Sequence, residues 1–325
     1  MSMPRVPRKY HVYRTDNGVQ TCGDSREILA TLKPDSVDLI MTSPPFALLR
    51  KKSYGNKEQA EYVDWLCEFG AAALPSLKDT GSLVIDLGGS YERGKPVRSL
   101  YNFRVLLRFC DDLGYRFAED FYWFNPAKLP SPIEWVNIRK MRAKDSVNTV
   151  WWFSKGDWPK ADVTKVLTPY SKRMKTLLKD PEKFYSEAKR PSGHDVTHNF
   201  GKNGNKGAIP SNLLQIPNTD SNSHYMRVLK SLKKDRHPAR FPEALPRFFI
   251  EFLTEPGDVV VDIFSGSNTT GVAADELGRR WLSVELDADY ARLSAVRFLE
   301  DKNLDEIEKV LSQIEEGKVP KLKMR

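Results

Sequence analysis

The stretch Val259-Val260-Val261-Asp262-Ile263-Phe264-Ser265-Gly266-Ser267-Asn268-Thr269-Thr270-Gly271 reads as a buried strand that breaks into a loop of small residues and then enters a helix running to Leu277. Such a turn lets a ligand approach the backbone closely at the C-terminal end of the strand. About twenty residues on, Trp281-Leu282-Ser283-Val284-Glu285 is a second short strand. It ends in an acid placed to accept hydrogen bonds from ribose hydroxyls. The pair points to a nucleoside-bearing cofactor. A dinucleotide is disfavoured, because the GxGxxG pattern is absent and only Gly266 and Gly271 stand in the loop. Alone, the loop reads equally well as a plain strand-to-helix turn, so its weight comes from its neighbours.

One of them is Val37-Asp38-Leu39-Ile40-Met41, another buried-strand run, which passes directly into Thr42-Ser43-Pro44-Pro45-Phe46. Two consecutive prolines lack backbone donors and hold the chain extended, so nearby carbonyls are not consumed by a helical turn. With the Ser43 hydroxyl and the Phe46 ring beside them, they can accept hydrogen bonds from an amino group while the ring stacks on its aromatic system. The exocyclic amine of a nucleobase fits that description. Away from a strand end, Ser-Pro-Pro would be an ordinary turn.

Further strand-like runs span Leu83 to Leu87, Phe121 to Phe124 and Thr149 to Phe153. Helical spacing joins Tyr62, Trp65, Leu66, Phe69 and Ala73, then Leu245, Phe248, Phe249, Phe252 and Leu253, and finally Leu304, Ile307, Leu311 and Ile314. This alternation predicts an α/β fold with a doubly wound, mostly parallel sheet and helices on both faces. The interval 158–236 differs: it holds six prolines and the loop-like stretch Gly201 to Gly207, and it lacks long apolar runs. The chain therefore divides into 1–157, a smaller loop-rich module at 158–236, and 237–325.

The net charge of +8 is concentrated in that module. Between Lys165 and Arg240 stand 16 Lys or Arg against 6 Asp or Glu, while the remaining chain is close to neutral. A localised basic segment suits a nucleic-acid backbone, although a solvated lysine-rich surface has the same composition. With 40% hydrophobic residues the chain can bury a core, which argues against wholesale disorder. Cys22, Cys67 and Cys110 are odd in number and widely spaced, which suggests neither a disulfide framework nor a metal site. No apolar run approaches the roughly 18 residues of a membrane span, and no apolar segment follows the basic start, so a cytoplasmic protein without membrane contact is expected.

Ser43 to Phe46, the Asp262 to Thr269 loop, Gly23-Asp24-Ser25 and His237-Pro238-Ala239-Arg240-Phe241-Pro242 together resemble the motifs of S-adenosylmethionine-dependent DNA amino-methyltransferases. The amine-binding motif precedes the cofactor motif, with the recognition region between them. That order is the circularly permuted β group of the class I methyltransferase fold. Ala118 to Pro126, Leu129 to Asn137 and Arg190 to Asp195 are similar to the PvuII-type cytosine-N4 branch, and the resemblance covers nearly the whole chain.

The resemblance implies that Ser43, Pro44, Pro45 and Phe46 hold a flipped base. It implies that Asp262, Phe264, Gly266, Ser267, Asn268 and Thr269 form the S-adenosylmethionine site, that Glu285 binds its ribose, that Asp24 lies near the adenine, and that His237 and Pro238 approach the methionine part. Ser265-Gly266-Ser267-Asn268 departs from the commoner Gly-Ser-Gly, which puts individual loop contacts in question and leaves the site itself intact. Serine at position 43 is typical of cytosine-N4 enzymes, whereas many adenine-N6 enzymes carry Asp or Asn there. The implied reaction is direct methyl transfer to the N4 amine of an extruded cytosine in double-stranded DNA, in a restriction-modification setting, with CAGCTG as the PvuII-type site. Methylation of a ring carbon would need a nucleophilic thiol, usually after a proline, and no cysteine here follows one.

For DNA contacts, Arg50, Lys51 and Lys52 are expected on the phosphates beside the flipped nucleotide. Lys172, Arg173 and Lys175 are expected on other phosphates, and Arg190, His194 and Asp195 on base edges. Any single lysine among them reads equally as a solvated charge. Trp123, Trp135, Trp151 and Trp152 are assigned to the core. No metal is implied; a monomer is expected, with a cognate endonuclease for the same site as a candidate partner. The competing readings are an adenine-N6 enzyme, an RNA methyltransferase, and a non-catalytic DNA-binding protein on a methyltransferase scaffold.

Overall fold

The computed structural model describes residues 5–47, 59–179, 206–219 and 222–323. The chain forms two compact units, one made of Met1–Ala161 with Asn212–Arg325 and the other of Asp162–Ser211. In the larger unit the strands are β1 (His11–Arg14), β2 (Gly18–Cys22), β3 (Val37–Thr42), β4 (Leu77–Gly88), β5 (Arg116–Phe124), β6 (Val147–Ser154), β7 (Leu213–Gln215), β8 (Val259–Asp262) and β9 (Arg280–Glu285). The helices are α1 (Ser25–Leu29), α2 (Gln59–Ala73), α3 (Tyr101–Asp111), α4 (Lys172–Lys179, in the smaller unit), α5 (His224–Ser231), α6 (Ala244–Leu253), α7 (Thr269–Glu276), α8 (Ala288–Leu293) and α9 (Leu304–Glu315).

All nine of these strands join one sheet in the order β1-β2-β9-β8-β3-β4-β6-β5-β7, in which β1 and β6 run against the others. Every residue of β3 is buried, which is why its sequence shows an unbroken apolar run rather than alternation. Its Val37 and Ile40 share a core with Leu83, Ile85, Val259 and Val261 and with Tyr62, Leu66, Phe69, Val105 and Phe109 of α2 and α3. Aromatic packing continues at β5 and β6, where Phe249 of α6 lies edge-on to Phe121 at 5.1 Å and Phe252 to Trp152 at 5.3 Å.

From β3 the chain crosses through α2 to β4 on one side, whereas from β8 it crosses through α7 to β9 on the other. The winding therefore reverses between β3 and β8, and the C-terminal ends of these two neighbours open a crevice. Thr42 ends β3 and Asp262 ends β8. Fold topology thus brings together two motifs more than two hundred residues apart in the chain.

Three strands escape a reading of apolar runs. β2 is Gly18-Val19-Gln20-Thr21-Cys22, and its polar side chains are buried because each finds a partner: Thr21 Oγ1 donates to the Ser283 carbonyl at 2.9 Å and Gln20 Nε2 to Ser265 Oγ at 3.1 Å. β1 and β7 are too short to show periodicity. β7 pairs in parallel with β5 through Leu213, Leu214 and Gln215, which carries residues 212–236 into the larger unit. The smaller unit is accordingly tighter than the 158–236 interval drawn from composition. It contains a single turn of helix (Val163–Val166), whose first turn is capped by Asp162 accepting from the Thr164 amide at 3.0 Å. It also contains a Thr168 to Ala208 bridge and α4, which carries Lys172, Arg173 and Lys175 exposed. Among the described residues no helix is long and apolar enough to cross a membrane, and no group of side chains could hold a metal ion.

Candidate active site

A cavity of about 630 Å³ lies in the crevice at the strand ends. Its volume falls within the range of small-molecule sites. One wall follows β3: Ser43, Pro44, Pro45 and Phe46 all line it. Ser43 Oγ donates to Asp86 Oδ2 at 3.0 Å, and Asn148 Nδ2 donates to Asp86 Oδ1 at 3.0 Å. Asp86 belongs to the apolar run of β4, and burial pushes its carboxyl up to about 6 against the opposing pull of those two hydrogen bonds and the Lys128 charge. The Phe46 ring rests on Gly88, where a Cβ would stand 2.4 Å from a ring carbon. Glycine is required there by contact rather than by backbone conformation.

The opposite wall follows β8 and β9. Phe264, Ser265, Gly266, Ser267, Thr269 and Glu285 line the cavity. Gly266 adopts φ of +50°, and its amide donates to Glu285 Oε2 at 2.7 Å while Asp287 N donates to Oε1 at 3.0 Å. Burial, aided by the nearby Asp287 and Asp262 charges, pushes Glu285 up to about 7. Phe264 packs against Trp65 at 5.6 Å and Phe69 at 4.7 Å. Arg297 Nε donates to the Ser267 carbonyl at 2.8 Å, pinning the loop from behind.

Two residues expected to hold the cofactor are turned into the protein instead. Asp262 accepts from Thr42 Oγ1 at 2.7 Å, Thr270 Oγ1 at 2.6 Å and the Phe264 amide at 3.0 Å. It ties the end of β3 to the β8 loop, and burial pushes it up to about 6. Asn268, in the left-handed region at φ of +58°, accepts from Gly271 N and Ser283 Oγ and donates to Tyr13 Oη. Neither side chain lines the cavity, because each already has its hydrogen-bonding capacity taken up by the fold. Asp24, His237 and Pro238 do line it. The Asp24 carboxylate accepts from Arg26, which holds it below the usual carboxylate range. The His237 ring meets Tyr290 edge-on at 4.6 Å.

A third wall escapes sequence reasoning. Trp123, Asn125, Lys128, Ser146 and Asn148 line the cavity from the ends of β5 and β6. Trp123, expected in the core, is indeed buried, with Nε1 donating to the Ile216 carbonyl at 2.9 Å, and yet one side of it faces the cavity. The available signals were an acid inside the apolar run Leu83-Val84-Ile85-Asp86-Leu87 and the Asn125-Pro126 break at a strand end. Lys172, Arg173 and Lys175 of α4 do not line the cavity. Arg50, Lys51, Lys52, Arg190, His194 and Asp195 lie outside the described residues.

A family model described as DNA methylase, covering the N6 and N4 amino-methyltransferases, matches residues 37–296. The chain belongs to this family of DNA amino-methyltransferases. It is 58% identical over 298 residues to the type II methyltransferase M.PvuII of Proteus hauseri, covering 92% of this chain and 88% of that one. The solved structure of PvuII DNA methyltransferase (cytosine-N4-specific) superposes with a TM-score of 0.79 at 47% identity, covering 98% of this chain and 99% of the other. At 19% identity, a DNA modification methylase of Thermus thermophilus, complexed with S-adenosylmethionine, shares the fold with a TM-score of 0.53, covering 96% of this chain and 98% of the other. In this methyltransferase the permuted order follows from the topology: the base-side motif comes first in the chain because β3 precedes β8, although the two strands are neighbours.

Proposed function

We propose that this methyltransferase transfers a methyl group to the N4 amine of a cytosine extruded from duplex DNA. Ser43 Oγ, Pro44 and Phe46 would hold the base, and Glu285, Phe264, Gly266 and Ser267 would hold the donor. The observation that carries this reading is the hydrogen bond from Ser43 to buried Asp86. Because the serine proton is committed to a carboxylate, the Ser43 oxygen presents only lone pairs to the cavity, and lone pairs are what an amine donor requires.

The cavity walls fit S-adenosylmethionine on their own chemistry. Glu285 offers a carboxylate at a strand end, Phe264 an aromatic face, and Gly266 a position where a Cβ would meet the His237 ring at 3.0 Å. When bound, S-adenosylmethionine supplies an electrophilic methyl group on a sulfonium. The protein's own work is positioning and charge. An exocyclic amine is a weak nucleophile because its lone pair is delocalised into the ring, and hydrogen bonds accepted by Ser43 Oγ favour a pyramidal nitrogen. As positive charge develops on that nitrogen, its proton passes to Ser43 Oγ while the serine proton passes to Asp86 Oδ2. Asp86, titrating at about 6, is matched to hold a proton transiently near neutral pH. Phe46 stacking on the base offsets part of the few kcal/mol that extrusion costs.

The proposal extends to a type II restriction-modification setting with a cognate endonuclease, a CAGCTG site, a monomeric enzyme and a cytoplasmic location where its DNA is found. Lys172, Arg173 and Lys175 are its phosphate contacts, and the module around 158–236 reads the sequence. The test is incubation with unmethylated duplex and methyl-labelled S-adenosylmethionine, followed by nucleoside analysis. Label in 4-methylcytosine that disappears in Ser43→Ala is expected. Label in 6-methyladenine would move the enzyme to the adenine group, and label only in RNA would overturn a DNA substrate.

A further inference from the structure

Between β5 and β6 the chain makes an excursion, residues 125–146, whose two ends line the cavity through Asn125, Lys128 and Ser146. It is fastened at several points. Asn125 N donates to the Ser146 carbonyl at 2.9 Å and Asp145 N to the Ser131 carbonyl at 2.9 Å. Lys144 Nζ donates to the carbonyls of Pro126 and Lys128, each at 3.2 Å. Arg142 Nη2 reaches the Pro96 carbonyl at 2.7 Å, and Arg98 pairs with Asp145 at 3.0 Å.

This held segment nevertheless displays large apolar side chains to water. Leu129 is 81% exposed and Ile133 64%, with Ile138 and Met141 also exposed. Leu129 directly follows Lys128, a residue of the cavity wall, so it stands at the cavity mouth. The excursion carries more Lys and Arg than Asp and Glu. Apolar side chains set among cations beside a base-sized cavity suit duplex DNA: the cations meet phosphates, and the apolar groups meet the faces of stacked bases. Extrusion of one cytosine leaves a void in the stack and a guanine without its partner, and an apolar side chain can fill that void.

We infer that Leu129, with Ile133 behind it, is a wedge that enters the base stack where the target cytosine has left. Lys144 holds the wedge's backbone in place. The inference rests on the base extrusion proposed above. It identifies Leu129 as a positioning residue, since it acts on the duplex and not on the reacting atoms.

The test uses Leu129→Ala, and Leu129→Met as the conservative variant, on two duplexes carrying the site that the wild-type enzyme methylates. In one the target cytosine faces guanine; in the other it faces an abasic position, so that no pair has to be broken. Leu129→Ala is expected to lower kcat/KM by about tenfold on the paired duplex and by less than about twofold on the abasic one. Leu129→Met should restore most of the loss, and S-adenosylmethionine affinity should be unchanged in both variants. An equal loss on both duplexes, or no loss on the paired one, would overturn the wedge. Absence of wild-type transfer on either duplex would instead overturn the methyltransfer reading on which it rests.

Discussion

The two walls of the cavity at the β3–β8 switch point hold their acids differently. On the cofactor side, Glu285 accepts from two backbone amides, and Asp262 accepts from one amide and two threonines inside the protein. These bonds fix loop shape. On the base side, Asp86 has two side-chain donors, and one of them, Ser43, itself faces the cavity. Here the acid sets the direction of a hydroxyl. The first wall is a mould and the second is a polarised contact, so equivalent substitutions in the two should fail in different ways.

The largest expected effect comes from reversing that polarity. In Asp86→Asn the amide would donate to Ser43 Oγ, turning the serine proton toward the incoming amine and removing the proton acceptor. A loss in kcat of about 10²- to 10⁴-fold is expected, with little change in S-adenosylmethionine affinity. The stability effect has the opposite sign. A carboxyl whose folded pKa is raised stabilises the protein below its unfolded pKa, and that contribution is lost as pH rises through about 6. At pH 8 Asp86→Asn should therefore unfold at no lower denaturant concentration than the wild type. In the wild type kcat should fall below pH 6, and in the variant that limb should flatten. A variant that loses stability and activity together would make Asp86 merely structural.

Two glycines sharpen the contrast at intermediate size. Gly88→Ala puts a methyl 2.4 Å from the Phe46 ring and must displace it, so kcat should fall while S-adenosylmethionine affinity holds. Gly266→Ala meets the His237 ring at 3.0 Å and also forces a side chain into the left-handed region, at a cost of about 1–2 kcal/mol. Its defect should lie in S-adenosylmethionine affinity, lowered by about five- to thirtyfold. Isothermal titration and single-turnover transfer on the same preparations would separate the two, and a shared phenotype would erase the distinction between the walls.

Glu285 gives a smaller, pH-dependent effect. Ribose hydroxyls donate to the ionised carboxylate, so binding favours deprotonation, and affinity should weaken as pH falls through about 7. The apparent Kd should rise toward tenfold per pH unit below that point. Glu285→Gln should bind more weakly at pH 8 and show a flat profile, as measured by titration calorimetry between pH 5.5 and 8.5.

How much of this is legible in the sequence follows the same division. The β3 and β8 motifs announce themselves because a ligand-facing loop at a buried strand end breaks an apolar run with small residues or prolines, as at Ser43-Pro44-Pro45 and Ser265-Gly266-Ser267. The sheet is legible where strands are buried on both faces, and illegible at β2, where Gln20 and Thr21 are buried through hydrogen bonds that no periodicity encodes. Asp262 and Asn268 fall on the wrong side of the cavity wall for a related reason. Spacing shows that a polar residue sits in a loop, but only the fold shows whether its lone pairs are already taken by Thr42, Thr270 or Ser283. The third wall, with Asp86, Lys128 and Asn148, is assembled from strand ends distant in sequence and leaves only single-residue signals.

The smallest effects belong to α4 in the smaller unit, where Lys172, Arg173 and Lys175 are exposed and make no ion pair among the described residues. If each meets a phosphate, replacing one by alanine removes one released counterion without touching any base. DNA affinity should drop by severalfold at most, equally for cognate and unrelated duplexes, and the slope of log K against log salt should shrink by about 0.9 per residue. A fluorescence-anisotropy titration across salt concentrations, run on both duplexes, measures both quantities. A loss confined to the cognate duplex would move α4 from holding the backbone to reading the sequence, and an unchanged slope would remove it from the DNA surface altogether.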